Sequence, residues 1–406
     1  MMTTLSLAFL SIFRQFRRST TAVLAITSGI AALLLASGFI EWNLRYGRES
    51  TIHSELGHIR IFKPGYLQSG LADPFEFLLD ADASREKAVL QLPHVELLTP
   101  RLSFNGLASY GESTISFIGE GVDPTLEEHL SKSLTIVSGR PLSPEQQKGI
   151  IIGQGLANNL GVKPGDTLVL MANSATGGVN AAEVTVLGLF ATITKAYDDA
   201  ALRVPITLAR QLLRVKGAHT YAILLDKTEN TSETLSDLKK HFSGKNLEFI
   251  PWYDMADFYN KTAELFSRQV SIVRLIIAVI IVLSISNTLM MNVMERTGEI
   301  GTIMATGVKR KEVLSQFLAE GVILGLIGGA LGLVLAYAFG ALISAVGIPM
   351  PAPPGMSFGY TAEILITWQM ALDAYLLAII TTLLASVIPA VKASRMEIVN
   401  ALRHNR

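Results

Sequence analysis

Cysteine is absent from this chain of 406 residues, and its absence excludes disulfide bonds, thiolate metal sites and a cysteine nucleophile. A net charge is absent as well, because 34 basic residues balance 34 acidic residues. The chain therefore has no overall field that would attract nucleic acid or acidic ligands. Charged residues make up only 17% of the sequence, whereas hydrophobic residues make up 50%. This composition is not that of an ordinary soluble enzyme.

Motifs for catalysis and metal binding are also missing. No G-x-x-x-x-G-K-[ST] phosphate loop occurs, and the glycine-rich run GLIGGALG at 325–332 is not followed by lysine. The seven histidines lack ligand spacing, since His53 and His58 are five residues apart and share a helical face poorly. The Tyr-Asp-Asp run at 197–199 reads as a solvated turn, with a cation site as the alternative. We predict no catalytic residue, no metal site and no cofactor held by this chain.

Long apolar runs are what the sequence does contain. Four segments, at 20–40, 268–292, 313–346 and 368–391, reach or exceed the roughly 20 apolar residues that a bilayer core requires. The third is longer than needed, which predicts a tilt or an extension beyond the membrane. A cleaved signal peptide is the alternative for the first segment, although it is too long for one. The fold class is thus a membrane protein with four transmembrane α-helices.

Basic residues orient these segments. They lie before the first segment, between the second and third, and after the fourth: Arg14, Arg17, Arg18, Arg296, Lys309, Arg310, Lys311, Lys392, Arg395, Arg403 and Arg406. The external loop predicted at 347–367 carries neither lysine nor arginine. By the positive-inside rule, the N-terminal amphipathic segment (1–19), the connection at 293–312 and the tail (392–406) are cytoplasmic.

A large extracytoplasmic domain is predicted at 41–267. β-Branched runs bounded by Gly, Pro or Asp predict strands at Ile59–Phe62, 115–118, 149–152, 168–171 and 184–187. Helical patterns occur at 84–91, 155–160, 207–214 and 232–242. We predict an α+β domain with a strand-rich insert at about 95–215 and a flexible hairpin tip at 174–180.

An aromatic stretch precedes the second apolar segment. It contains Trp252, Tyr253, Phe258, Tyr259 and Phe266. We predict that it is a helix-like stalk entering that segment, and an aromatic cluster in the external core is the alternative for some of its members.

The connection at 293–312 has an amphipathic helix pattern. Its apolar residues recur at i, i+3 and i+4: Ile300, Ile303 and Met304. Its charged residues occupy other faces: Glu295, Arg296 and Glu299. Gly307 is placed to end the helix. Such a helix can fill a groove on a soluble protein, but periodicity alone favours an ordinary amphipathic linker.

Small and polar residues inside the apolar segments have structural interpretations. Gly325, Gly328, Gly329 and Gly332 indicate close helix packing. Arg274 would extend toward the interface or meet an acidic partner such as Glu41 or Asp373. Asp373 in a proton path is the less favoured alternative.

Three stretches resemble one family. VMERTGEIGTIMATG, followed by FLAE and a glycine-rich segment, is similar to the FtsX-type permease domain of the MacB/LolC/LolE superfamily of ABC transporters. The ending PAVKASRMEIVNALRHN resembles the ending of that family, with Ile398 at or next to a position where many relatives have proline. SGRPLSPEQQKGIIIGQGLANNLGVKPGDTLVL is similar to its periplasmic core domain.

The resemblance implies a coupling helix at 295–307 that docks on an ATPase subunit. The residues that it implies for coupling are Glu295, Arg296, Thr297, Glu299, Ile300, Gly301, Ala305 and Gly307. It also implies a bacterial inner-membrane protein, a second permease copy or paralogue, and a cytoplasmic ABC ATPase dimer that binds ATP and Mg²⁺. The resemblance further implies mechanotransmission, in which nucleotide-driven closure moves the external domains. A periplasmic adaptor or chaperone and membrane lipids complete the expected partners, and nucleic acid is not among them.

The function that these observations favour is transport of a lipophilic cargo, namely a lipoprotein, lipid, drug or peptide. An FtsX-like signalling subunit that controls external cell-wall enzymes is the alternative, and the size of the external domain argues against it. A proton-driven secondary carrier is a third hypothesis, disfavoured because no inverted repeat is visible.

Overall fold

The computed structural model describes residues 16–70, 72–192, 194–352 and 359–397. The predictions for Arg14, Ile398, Arg403 and Arg406 lie outside these residues. The chain forms two compact units. The first, the helical unit, comprises Met1–Leu44, Ala263–Pro349 and Thr361–Arg406, and the second, the sheet unit, comprises Arg45–Thr262 and Met350–Tyr360.

Helices and strands alternate along most of the chain. The helices are α1 (Phe16–Thr51), α2 (Tyr66–Ser69), α3 (Ala83–Leu90), α4 (Pro124–Leu130), α5 (Gln154–Leu160), α6 (Lys195–Asp198), α7 (Ile206–Leu213), α8 (Thr231–His241), α9 (Trp252–Met255), α10 (Asp257–Glu295), α11 (Thr297–Ala305), α12 (Arg310–Val346) and α13 (Trp368–Ser394). The strands are β1 (Ile59–Phe62), β2 (Val95–Tyr110), β3 (Ser113–Val122), β4 (Thr135–Gly139), β5 (Gly149–Gly153), β6 (Thr167–Asn173), β7 (Val179–Ala191), β8 (Ala201–Pro205), β9 (Thr220–Leu225), β10 (Glu248–Pro251), β11 (Ile348–Met350) and β12 (Tyr360–Ala362).

Four helices in the described residues are long and apolar enough to cross a membrane: α1, α10, α12 and α13. They contain the apolar segments predicted at 20–40, 268–292, 313–346 and 368–391. With 36, 39, 37 and 27 residues, each exceeds the roughly 20 residues that span a hydrocarbon core.

The core of the helical unit is built from residues spaced four apart. Ile26 and Ile30 of α1 are fully buried, and Ile281 and Ile285 of α10 join the same core. This spacing places them on one face of each helix. Other apolar residues of α10, such as Leu283, are exposed, as is usual for a surface in contact with lipid or another membrane helix.

The sheet unit contains one mixed ten-stranded sheet. Its strand order is β10-β1-β9-β2-β3-β8-β5-β7-β4, and β6 pairs with β2 and β7. β3 pairs with β8 and β5 with β7 in parallel, whereas the remaining pairs are antiparallel. The region 95–215, predicted as a strand-rich insert, does not include β1, β9 and β10. Its first strand, β2, pairs with β9 and so joins these strands to those of the insert.

The local predictions for this unit correspond to observed elements. Each predicted strand lies within a strand, and each predicted helix lies within one residue of a helix. The run at 174–180 joins β6 to β7, which pair from Asn173 and Val179.

Two sequence interpretations were wrong in part. Asp198 is not in a solvated turn: it is buried, and its Oδ1 atom accepts hydrogen bonds from the Thr192 backbone amide (3.0 Å) and hydroxyl (2.8 Å). The aromatic stretch is not one helix, because Ala256 separates α9 from α10. Trp252 lies in the core of the sheet unit, as the alternative had it, whereas Phe258 is exposed on α10.

Candidate coupling segment and membrane cavity

The connection between α10 and α12 contains a short helix that is set off from both. Arg296 has φ −93° and ψ 13°, outside the helical range, so α10 ends at Glu295 and α11 begins at Thr297. Gly307, with φ +97°, follows the end of α11. The prediction of one helix over 295–307 was therefore wrong at its start, because the backbone bends at Arg296.

The apolar residues of α11 do not form a single exposed stripe. Ile300 and Met304 are buried in a cluster with Val313 and Phe317 of α12. Ile303 is 38% exposed and lies at the edge of this packed face. The i, i+3, i+4 pattern thus marked the face that packs on the protein's own helices, with Ile303 at its partly open edge.

The Arg296 side chain extends toward α12. Its Nε atom donates to Glu299 Oε2 at 3.2 Å, and its Nη1 atom donates to Glu320 Oε1 of α12 at 3.4 Å. The Arg296 side chain is 17% exposed and that of Glu320 is 4% exposed. Sequence reasoning missed Glu320. A carboxylate next to an apolar helical run was the available signal, because such a group needs a partner.

The residues predicted for coupling differ in how far they are exposed to solvent. Glu295, Ala305 and Gly307 are exposed; Arg296, Thr297 and Glu299 are half-buried; Ile300 and Gly301 are buried. The open side of the segment also contains Thr302 and Ile303, and is followed by the exposed basic residues Lys309, Arg310 and Lys311.

The four glycines of α12 lie against two different helices. A Cβ atom at Gly328 would be 2.7 Å from Ile26 Cβ, and one at Gly332 would be 2.8 Å from Ile30 Cβ, both on α1. A Cβ atom at Gly325 would be 2.2 Å from Thr382 Oγ1 of α13, and Gly329 also faces α13. No amino acid other than glycine fits at these positions without displacing a neighbouring atom. Small residues are typical of such close helix contacts.

A cavity of about 260 Å³ lies among α1, α10 and α13 in the helical unit. Its walls combine apolar residues, among them Leu33, Ile40 and Val270, with serine side chains and with the opposite charges of Glu41 and Arg274. No Arg274–Glu41 ion pair within 4 Å is formed, so of the alternatives for Arg274 the one with Glu41 as its partner is not observed.

The sheet unit contains a buried ion cluster formed by Arg60, Arg101, Glu120, Glu127 and Arg203. Arg101 Nη1 is 2.7 Å from Glu120 Oε2, and Arg203 Nη1 is 2.5 Å from Glu127 Oε1. Burial opposes ionisation of Glu120, but the adjacent guanidinium groups of Arg101 and Arg203 outweigh it and lower the pKa of that carboxyl.

Histidine side chains near the end of α1 form contacts but no metal cluster. The rings of His53 and His58 are 5.8 Å apart and perpendicular. His58 Nδ1 accepts a hydrogen bond from the Leu225 amide, so its Nε2–H donates to Thr228 Oγ1. Burial lowers the pKa of His58 to about 4. Within the described ranges, no three potential ligands among His, Asp and Glu are grouped to hold a metal ion.

Two family models match the chain. The MacB-like periplasmic core domain matches residues 19–241, more than half of the chain, and the FtsX-like permease C-terminal domain matches residues 271–398. Together with the long apolar helices, these matches define a membrane-spanning transporter permease. The chain belongs to the MacB-like, FtsX-type family of ABC transporter permeases.

Relatives extend over nearly the full chain. An uncharacterised ABC transporter permease of Methanocaldococcus jannaschii is 23% identical over 431 residues, covering 98% of this chain and 97% of that protein. The macrolide export ATP-binding/permease protein MacB of Shewanella is 25% identical over 417 residues, covering 98% of this chain and 60% of MacB. The chain thus spans less than two thirds of the Shewanella protein. The periplasmic region of MacB from Actinobacillus actinomycetemcomitans has a TM-score of 0.36 and 12% identity, covering 50% of this chain and 94% of that structure.

Proposed function

We propose that this permease works with a separate ABC ATPase subunit and uses mechanotransmission to extract or export a lipophilic cargo. ATP and Mg²⁺ bind to the partner. The observation that carries the proposal is α11, a short helix between two long apolar helices with one face packed on α12 and the other open. An amphipathic helix of this kind suits a groove on a soluble protein.

The proposed topology places both termini and α11 in the cytoplasm of a bacterial inner membrane. The basic residues next to α11 support this orientation, because cytoplasmic loops carry an excess of lysine and arginine. The sheet unit then lies on the external side of the membrane, and ATP hydrolysis by the partner would move it. A dimer of ATPases would act on two permease subunits, either two copies or two paralogues.

The cavity among α1, α10 and α13 supports a cargo with an apolar part. Its apolar walls suit an acyl chain or a hydrophobic drug, and Glu41 and Arg274 suit a polar head. A lipoprotein, lipid, drug or peptide meets this description, and the MacB relative is named for macrolide export. A signalling subunit without cargo would not need such a cavity, so the cavity favours transport. A periplasmic adaptor or chaperone would receive or deliver the cargo.

The docking part of the proposal is tested on the exposed face of α11. Ala305→Glu and Ile303→Asp place a charge on that face without entering the core. We expect both variants to insert normally and to lose the ATPase that co-purifies with the wild-type chain. Ser315→Glu, on an exposed position of α12, is the matched control and should retain it. A wild-type chain that transports with no ATPase present would refute the proposal.

The cargo part is tested by filling the cavity. Ser271→Trp narrows it, whereas Ile272→Trp adds the same side chain at an exposed neighbouring position. With a fluorescent diacyl phospholipid as probe in detergent, we expect Ser271→Trp to reduce binding and Ile272→Trp to leave it unchanged. Equal binding by both variants would remove the cavity as a cargo site while leaving ATPase docking untouched.

A further inference from the structure

Arg296 lies at the bend between α10 and α11, and its side chain also contacts the helices that follow. The Arg296 backbone amide donates a hydrogen bond to the Asn292 carbonyl oxygen of α10 (3.1 Å). The Arg296 carbonyl oxygen accepts one from the Ile300 amide of α11 (2.9 Å). The Arg296 guanidinium then reaches Glu299 on α11 and Glu320 on α12. One residue therefore connects three helices.

Glu320 stands where α12 is held tightly against α13. The next residue, Gly321, has a Cα position at which a Cβ atom would be 2.7 Å from Ser386 Cβ of α13. Glu320 itself is 3% exposed. Glu320 is therefore buried beside the close α12–α13 contact, and a displacement of α12 at this point would reach α13.

We propose that Arg296 is a positioning residue whose ion pair with Glu320 transmits displacement of α11 to the α12–α13 pair, rather than a residue that contacts the partner ATPase. This inference rests on the proposed function, because it requires that α11 receives motion from the ATPase. The contact with the ATPase is made by the open face of α11, which contains Ile303 and Ala305.

The physical basis is the cost of separating the pair. The Glu320 carboxylate is almost completely removed from water, so moving the Arg296 guanidinium away from it costs part of the compensation of a buried charge. Rotation of α11 away from α12 is opposed, and the two elements move together. The apolar contacts of Ile300 and Met304 with α12 also hold α11, but they are not directional, whereas the charged hydrogen bond from Arg296 to Glu320 is directional.

The experiment uses the full chain with its co-purifying ATPase in liposomes. The variants are Arg296→Gln, Glu320→Gln, the double variant that combines these two changes, and the exchanged pair Arg296→Glu with Glu320→Arg. Three quantities are measured: ATPase retained on purification, the temperature of thermal unfolding, and the amount of fluorescent phospholipid moved per ATP hydrolysed. All assays are run below the unfolding temperature of the least stable variant.

The expected result is retention of the ATPase by every variant, with transport per ATP reduced about tenfold in each single variant. We expect the exchanged pair to recover part of that loss, and the two single changes to be non-additive in a double-variant cycle. A purely structural role would lower the unfolding temperature and leave transport per ATP unchanged in the folded variants.

Several outcomes would overturn the inference. Unchanged transport per ATP, additive effects, or loss of the ATPase in the Arg296 variant would each do so, the last by assigning Arg296 to the docking surface. Failure of the isosteric Glu320→Gln variant to assemble would assign the pair to folding alone. Ala305→Glu separates these outcomes from failure of the proposed function: if that variant also keeps the ATPase and full transport, α11 is not the docking helix.

Discussion

Gly328 of α12 lies directly against Ile26 of α1, so that a Cβ atom at the glycine would stand 2.7 Å from the isoleucine Cβ. One turn further along, Gly332 meets Ile30 in the same way, at 2.8 Å. Residues four apart lie on one face of a helix. The α1–α12 contact is therefore set by the absence of side chains on α12 and by β-branched side chains on α1.

We predict that Gly328→Leu destabilises the helical unit by about 1–3 kcal/mol, because an added side chain overpacks this contact. Ala330→Leu enlarges an exposed position on the same helix and is the matched control. Thermal unfolding of the purified chain in detergent measures the difference. An equal loss in both variants would mean that the close approach of α1 to Gly328 is not maintained in the membrane protein.

A second prediction concerns the buried ion cluster of the sheet unit. Arg203 donates to Glu127 and to the Ser54 carbonyl oxygen (2.6 Å), and it is fully buried. Arg203→Met leaves the carboxylates undercompensated and is expected to cost about 3–5 kcal/mol. Lys195→Met breaks the exposed Lys195–Asp199 pair and should cost at most about 1 kcal/mol. Protease resistance of residues 45–262 against temperature compares the two, and similar curves would contradict the assignment.

A third prediction is a pH dependence of stability. The pKa of His58 is lowered from 6.5 to about 4 in the fold, so between these values the unfolded state binds more protons than the folded state. The contribution of neutral His58 to the free energy of unfolding is then fully present above pH 6.5, and it is lost as the pH decreases toward 4. The contribution of His58 is about 3 kcal/mol over this window.

The same protease assay between pH 7 and pH 4 measures this dependence. His58→Gln should be less stable at pH 7 but should lose less on acidification. Some dependence should remain, because burial also lowers the pKa of His219 to about 4. A His58→Gln variant with the wild-type slope would show that His58 titrates normally in the fold.

The proposed topology gives a fourth prediction, made simple by the absence of cysteine. Thr176 is exposed in the hairpin between β6 and β7, and Lys309 is exposed after α11. In intact cells, Thr176→Cys should react with a membrane-impermeant thiol reagent and Lys309→Cys should not. Permeabilised cells provide the control in which both react. The reversed pattern in intact cells would invert the orientation.

How much of this structure could be predicted depended on the range of the interactions involved. The apolar length of α10 and the β-branched run of β5 are local properties, and both elements were found where the sequence indicated. The pairing of Arg296 with Glu320 is not local, because 24 residues separate them. The sequence pattern placed Arg296 on a face other than that of Ile300, but it did not indicate that the side chain contacts Glu320 of α12.

The sheet unit shows the same limit. Arg101 and Arg203 occupy strand positions that alternation treats as ordinary polar sites, yet both are fully buried. Their partners, Glu120 and Glu127, come from β3 and α4, and that pairing depends on the strand order β2-β3-β8. A single sequence contains the charges but not the sheet order that brings them together.

The division of the α12 glycines between two neighbours has a mechanical consequence. At Gly325, Gly328 and Gly332 the α12 backbone lies against backbone atoms or β-branched side chains of α1 and α13. A small shift of α12 cannot be accommodated there by a change of rotamer. A push on α12 along its axis would therefore be passed to α1 and α13 as whole-body movement, with little lost to local rearrangement. At these positions the placement of α12 against its two neighbours is therefore set by atoms close to the backbone.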